Sequence, residues 1–225
     1  MIEMLIRELI ETPDAFIRGG GPNKLLNSYS GGFDLEMLRS LFWHENETVR
    51  GVAAFVGAEL GWRARPLLDD AVTLAMVATD GATKFSALEI IAVNSTDNTI
   101  KFSVVAEALG DPIEGVRVLT MLLVANASTA QIDGALKPLT IKFGEKHSHA
   151  IGLNMIQRAD MSDMAGMTEG ARSLDPLMRK YSVISAVRCY NRQLLSPAAL
   201  ETLSIAASGI DAEIARFIRG RIESA

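Results

Sequence analysis

The chain has 225 residues, 48% of them hydrophobic and 22% charged, with a formal net charge of −5 and a pI of about 5.3. This length and apolar content suffice for a sizeable core without metal or disulfide support. The acidic balance disfavours nonspecific binding to phosphate backbones, which draws on a basic excess. Cys189 is the single cysteine, so no internal disulfide can form, as suits a reducing compartment. No apolar run approaches the ~18–20 residues that a membrane span needs. Glu3 and Glu8 interrupt the first ten residues as a secretory leader, so a cytoplasmic protein without membrane association is expected.

In chain order, Ile2 to Glu11 reads as a short amphipathic helix with Leu5, Leu9 and Ile2 or Ile6 on one side, stopped at Thr12-Pro13. Gly19-Gly20-Gly21-Pro22 is a break, and no Lys-Ser/Thr follows it at phosphate-loop spacing. Gly31-Gly32 is a second break, after which Asp34 caps a helix carrying Leu35, Leu38, Leu41 and Phe42. Asn46 is the expected N-cap of the next helix, whose apolar stripe is Val49, Val52, Ala53, Val56 and Leu60. Gly61 stands where a left-handed C′ residue is wanted. Helices follow from Pro66 to about Ala78, Ala82 to Val93 and Asp97 to Leu109.

Asp111-Pro112-Ile113-Glu114 has the form of a helix start, with Asp at the N-cap, Pro at N1 and Glu at N3. The helix it opens, through Ala125, is apolar nearly all round and is expected to be buried on both sides. Ser128 to Gln131 is a capping box opening a helix toward Phe143, with Pro138 expected to kink or end it. His147 to Arg158 is a further helix, and Asp160 to Gly170 reads as a loop or a loosely held short helix. Asp175-Pro176 caps a helix to about Leu194, Ser196-Pro197 caps the next, and Asp211 to Ile222 closes the chain. The fold class read from this is all-α.

The arrangement around Arg50 returns around Lys84, 34 residues on, and around Arg117, another 33 on. A near-constant step of this size marks stacked helical repeats. With Val49-Arg50, Val116-Arg117 and, in its cation alone, Thr83-Lys84, the chain from Phe33 to Gln157 resembles a HEAT-type α-solenoid, an α-α superhelix of stacked helical hairpins. That family places an Asp in the hairpin turn six residues before the cation, so that successive pairs form a hydrogen-bonded ladder. Asp111 fits the pattern, whereas His44 and Ala78 stand at the other two places, with Asn46 and Asp80 as substitutes. The resemblance implies a single domain over 1–225, with 1–33 an N-terminal cap and 160–225 a degenerate C-terminal part. It also implies that the helices of Arg50, Lys84 and Arg117 line a concave inner wall. Leu25 to Leu35 is similar to small bacterial HEAT-like proteins, some of the toxin-immunity kind.

Residues for chemistry are few. His147 and His149 are spaced i, i+2, which on one helix sets the rings about 200° apart. No Cys or His cluster completes a metal site, and no catalytic motif or cofactor fingerprint appears. No catalytic residue, metal or cofactor is therefore expected. The candidate partner-binding residues are Trp43, His44, Arg50, Trp62, Lys84, Arg117, Tyr181, Arg188 and Arg192. Trp43 and Trp62 either seal the core edge between hairpins or anchor a partner, since Trp and Arg are favoured at hot spots. Arg188 and Arg192, at i and i+4 beside Arg179, Lys180 and Tyr181, either hold an anionic partner or are solvated. The methionines from Met155 to Met178 either fill core or offer an adaptable contact surface.

These readings converge on a nonenzymatic protein-binding helical-repeat protein. An immunity-type inhibitor that docks a basic toxin domain on its concave face is one version. A HEAT-like DNA-base glycosylase or other nucleic-acid-acting enzyme is the alternative, and the acidic balance argues against it. A scaffold or self-associating subunit is the third. Oligomeric state is not legible in the sequence.

Overall fold

A computed structural model of the protein describes residues 2–32, 34–159, 164–208 and 211–223. Every regular element among these residues is helical, and none of the helices is long and apolar enough to cross a membrane. The chain divides into two compact units, Met1–Ser95 and Thr96–Ala225.

The first unit holds α1 (Ile2–Glu11), α2 (Pro13–Arg18), α3 (Gly21–Ser30), α4 (Glu36–Phe42), α5 (Glu47–Glu59), α6 (Leu68–Val77) and α7 (Gly81–Asn94). A 3-10 segment, Gly61–Leu67, carries Pro66 ahead of α6. Helix α1 buries Ile2, Leu5, Ile6 and Leu9 together, so both isoleucines share the inner side. Asn46 caps α5 through its side-chain oxygen, which accepts from the amides of Thr48 and Val49. The whole expected stripe of α5 is buried, and Gly61 follows it in the left-handed region at φ 57°. Helices α4 and α5 pack as one hairpin and α6 and α7 as the next, with α5 and α7 side by side. Glycine makes that approach close: a Cβ at Gly57 would come 2.9 Å from Cδ1 of Ile90, and one at Gly51 would come 2.9 Å from Oγ1 of Thr83.

The second unit holds α8 (Phe102–Glu107), α9 (Glu114–Asn126), α10 (Thr129–Phe143), α11 (Ser148–Ala159), α12 (Met164–Ala171), α13 (Pro176–Asn191), α14 (Pro197–Ser208) and α15 (Ala212–Glu223). Consecutive helices pack together as α10/α11, α12/α13 and α14/α15, while α8 packs on α10 more than on α9. The Ser128–Gln131 capping box forms in full, and α10 runs through Pro138 to Phe143 instead of ending there. Helix α9 starts later than expected. Asp111 accepts from the amide of Ile113 in a local turn, and Ile113 becomes the N-cap. The stretch 160–163 lies outside the described residues, while Met164–Ala171 is a helix.

The element buried on every side is α13 and not α9. Val116, Thr120, Met121, Val124 and Ala125 of α9 are buried, but Leu119 is exposed. In α13 every residue from Arg179 to Cys189 is buried. This helix packs on α9, α11, α12, α14 and α15. Two neighbours reach it through glycine: a Cβ at Gly152 would fall inside the ring of Tyr181, and one at Gly170 onto Oγ of Ser182. Sequence periodicity misplaces the centre because five polar residues, Arg179, Lys180, Ser182, Ser185 and Arg188, break the apolar record of α13.

Candidate functional site

The repeated cation has a definite local role. Arg50, Lys84, Arg117 and Arg179 each stand four residues after an N-cap, and each backbone amide bonds the N-cap carbonyl, at 3.2, 3.2, 3.2 and 3.1 Å. From that place Arg50 Nη1 donates to the carbonyls of His44 (2.8 Å) and Glu45 (2.9 Å). Arg117 Nη1 donates to Asp111 (2.8 Å) and Pro112 (2.9 Å), and Arg179 Nη1 to Ser173 (2.8 Å) and Leu174 (3.1 Å). Each arginine thus clasps the two carbonyls six and five residues behind it. The ladder read from the resemblance is corrected accordingly: the group six residues back acts through its main chain, so His44, Asp111 and Ser173 serve alike. Arg179 escaped the spacing argument because it lies 62 residues after Arg117. Between them Ile151, 34 residues past Arg117, takes the same place on α11 with no cation. Searching four residues after each capping Asp or Asn would have found it.

The other expected site residues fall in different surroundings. Trp43 is 51% exposed, and its indole N–H donates to Asp70 Oδ1 at 3.0 Å. His44 Nδ1 accepts from the amide of Asn46 at 3.1 Å, which orders the turn before α5. Trp62 is 74% exposed, with the Arg63 guanidinium 5.9 Å from its ring centroid, so it does not seal the core. Arg188 is 3% exposed, and its Nη1 donates to the carbonyls of Val124, Ala125 and Ala127 at the end of α9. A cation there gives the last carbonyls of the helix a further donor and complements the negative end of its dipole. Arg192, one turn on, is exposed.

Tyr181 is fully buried, and its hydroxyl lies 2.8 Å from Nδ1 of His149. Burial pushes the Tyr181 phenol up. Burial first, then His147 and Lys142, lowers His149 to about 4. The two histidine rings stack, with centroids 5.2 Å apart at 23°. The expectation that they point apart is overturned because His147 precedes α11 and turns back, its Nδ1 accepting from the amide of His149.

The first unit also carries a groove on its surface. It encloses about 610 Å³ between the glycine turn after α2 and the faces of α5 and α7. Ile17, Pro22, Val52, Phe55 and Ala82 give it apolar lining, and Asn23, Thr48, Thr83 and Ser86 add uncharged polar groups. Glu47 and Asp80 make one part acidic. Asp80 Oδ1 caps α7 by accepting from the Thr83 amide at 2.7 Å. Its Oδ2 is buried without a hydrogen-bond partner among the described residues.

Comparison with protein families and with curated proteins finds no match.

Charge reinforces the geometry of the groove. Residues 1–95 carry 13 Asp and Glu against 8 Lys and Arg, a net of −5, whereas residues 96–225 carry 14 of each. The whole net charge of the protein therefore resides in the unit that bears the groove. On the same helices, burial and then the Glu59 carboxylate raise the Glu89 pKa above the usual range.

Proposed function

We propose that this is a helical-repeat binding protein of HEAT type whose α5/α7 groove takes a basic, amphipathic segment of a partner protein. The observation that carries the proposal is the buried Oδ2 of Asp80, without a hydrogen-bond partner among the described residues, at the acidic part of a groove lined elsewhere by apolar and uncharged polar side chains. A buried acceptor without a donor costs about 1–3 kcal/mol, which a lysine or arginine of the partner offsets, while the apolar lining takes the rest of the segment. The repeated hairpins with their clasping arginines support the HEAT-type reading, and masking of a basic toxin domain is one version of the role. Trp62 is an exposed aromatic anchor in the same unit.

The test compares the full-length protein with its Ser86→Trp variant, in which an indole fills the groove. Expected is a basic partner that the parent retains from host extract at low salt, releases at high salt, and that the variant fails to hold. A partner held equally by both would place binding elsewhere. Duplex DNA bound with a steep salt dependence would instead favour the nucleic-acid enzyme.

A further inference from the structure

The first unit carries an exposed indole and, at the other end of the same helix, a groove of complementary chemistry. Trp62 is 74% exposed just past the C-terminal end of α5, and the Arg63 guanidinium lies 5.9 Å from its ring centroid. The base of this knob is tied down. Asn94 Nδ2 donates to the Gly61 carbonyl at 3.1 Å, and Arg63 Nη1 to the Ser30 carbonyl at 2.9 Å. That bond spends one of the five donors of a guanidinium, and Arg63 is itself exposed. The chain thus presents a large apolar side chain with a cation at its flank.

The α5/α7 groove draws on Glu47, Thr48, Gly51, Val52 and Phe55, all ahead of the last turn of α5. Its walls are open to a ligand: Ile17 is 44% exposed, Ala82 is exposed and Phe55 is half-buried. Its volume of about 610 Å³ accommodates an indole. Glu47, also exposed, accepts from Thr79 Oγ1 at 2.7 Å through Oε1, and Oε2 has no partner among the described residues. Knob and groove therefore match in both respects, indole to apolar wall and guanidinium to carboxylate. With a rise of 1.5 Å per residue, α5 sets Trp62 roughly 15 Å beyond the groove, so one copy cannot fill its own groove. Another copy can.

We infer that, granted the groove is the docking surface proposed above, a second copy of this chain occupies it when no basic partner does, with Trp62 against the apolar wall and Arg63 beside Glu47. Each copy carries a net charge of −5, which opposes the encounter, and one knob buries little area. The contact belongs to the weak class that buries less than about 1,200 Å². Sedimentation velocity of the full chain tests it from about 10 μM to about 1 mM in 0.15 M salt, where the Debye length is about 8 Å. The weight-average mass is expected to rise from the monomer value of 24.3 kDa to at least twice that. Trp62→Ser, which lacks the knob, and Ser86→Trp, which lacks the groove, should each stay monomeric alone. An equimolar mixture of the two should form a 1:1 pair, because each variant keeps the half that the other has lost. A parent that stays monomeric at 1 mM, a Trp62→Ser variant that assembles like the parent, or a mixture of two folded variants that fails to pair would each overturn the assignment. Trp62 is exposed, so its replacement leaves the fold intact even if Ser86→Trp does not. Retention of a basic partner by the parent is read separately, so the groove can keep its docking role while self-association fails.

Discussion

Arg50 and Arg179 make the same pair of carbonyl bonds in different surroundings, one half-buried and the other buried. Replacing the charged donor with methionine removes hydrogen bonds of the stronger, charge-assisted kind and strands carbonyls. Arg179→Met is therefore expected to lose about 2–3 kcal/mol and Arg50→Met about 1 kcal/mol, because water reaches the carbonyls of the more open turn. Urea unfolding of the two variants measures the difference. His149 gives the pH prediction. Its folded pKa of about 4 lies below the ~6.5 of an unfolded histidine, so between these values the unfolded chain binds a proton that the folded chain refuses. Its contribution is complete above about pH 6.5 and is lost as pH falls toward 4. A His149→Phe variant, which cannot titrate, should show a flatter fall in urea midpoint across that window.

At the scale of the element, α13 determines what the second unit tolerates. Gly152→Ala would drive a methyl group into the Tyr181 ring, and overpacking of this kind costs about 1–3 kcal/mol or more. Gly115→Ala, at an exposed position of α9 with nothing within 4 Å, should instead gain about 0.5 kcal/mol by restricting the unfolded chain. Thermal melts of the pair would reverse in sign if α13 were not the packing centre. The sequence made the helices legible through caps and stripes: Asn46, Ser128 and Asp175 all cap as their spacing predicts. It did not reveal which helix lies innermost. Burial of Arg188 depends on the end of α9, some sixty residues away, and no local period encodes that bond. The groove was illegible for the same reason, since its walls come from α2, α3, α5 and α7.

For the whole molecule, the partition of charge fixes how association should respond to salt. With a net of −5 on residues 1–95 and zero on the remainder, a basic partner is steered to the first unit. Its association rate should fall as the Debye length shortens from about 10 Å at 0.1 M salt to about 3 Å at 1 M. Stopped-flow mixing measures this, and a rate indifferent to salt would contradict a charge-steered role. The junction between the units makes a second prediction. Thr96, Asp97 and Asn98 are exposed immediately after the buried Asn94 and Ser95. Limited digestion with a protease specific for aspartate should cut first at Asp97, giving two fragments by mass spectrometry.

The arginine clasp also bears on how such a protein can change. Because it holds main-chain oxygens, it is indifferent to the side chains of the loop it closes: His44-Glu45, Asp111-Pro112 and Ser173-Leu174 are held in the same way. Those positions are free to drift or to be recruited for new specificities while one arginine keeps the bend. A lineage built on this device could rewrite its loops until little recognisable text remained and still fold as before.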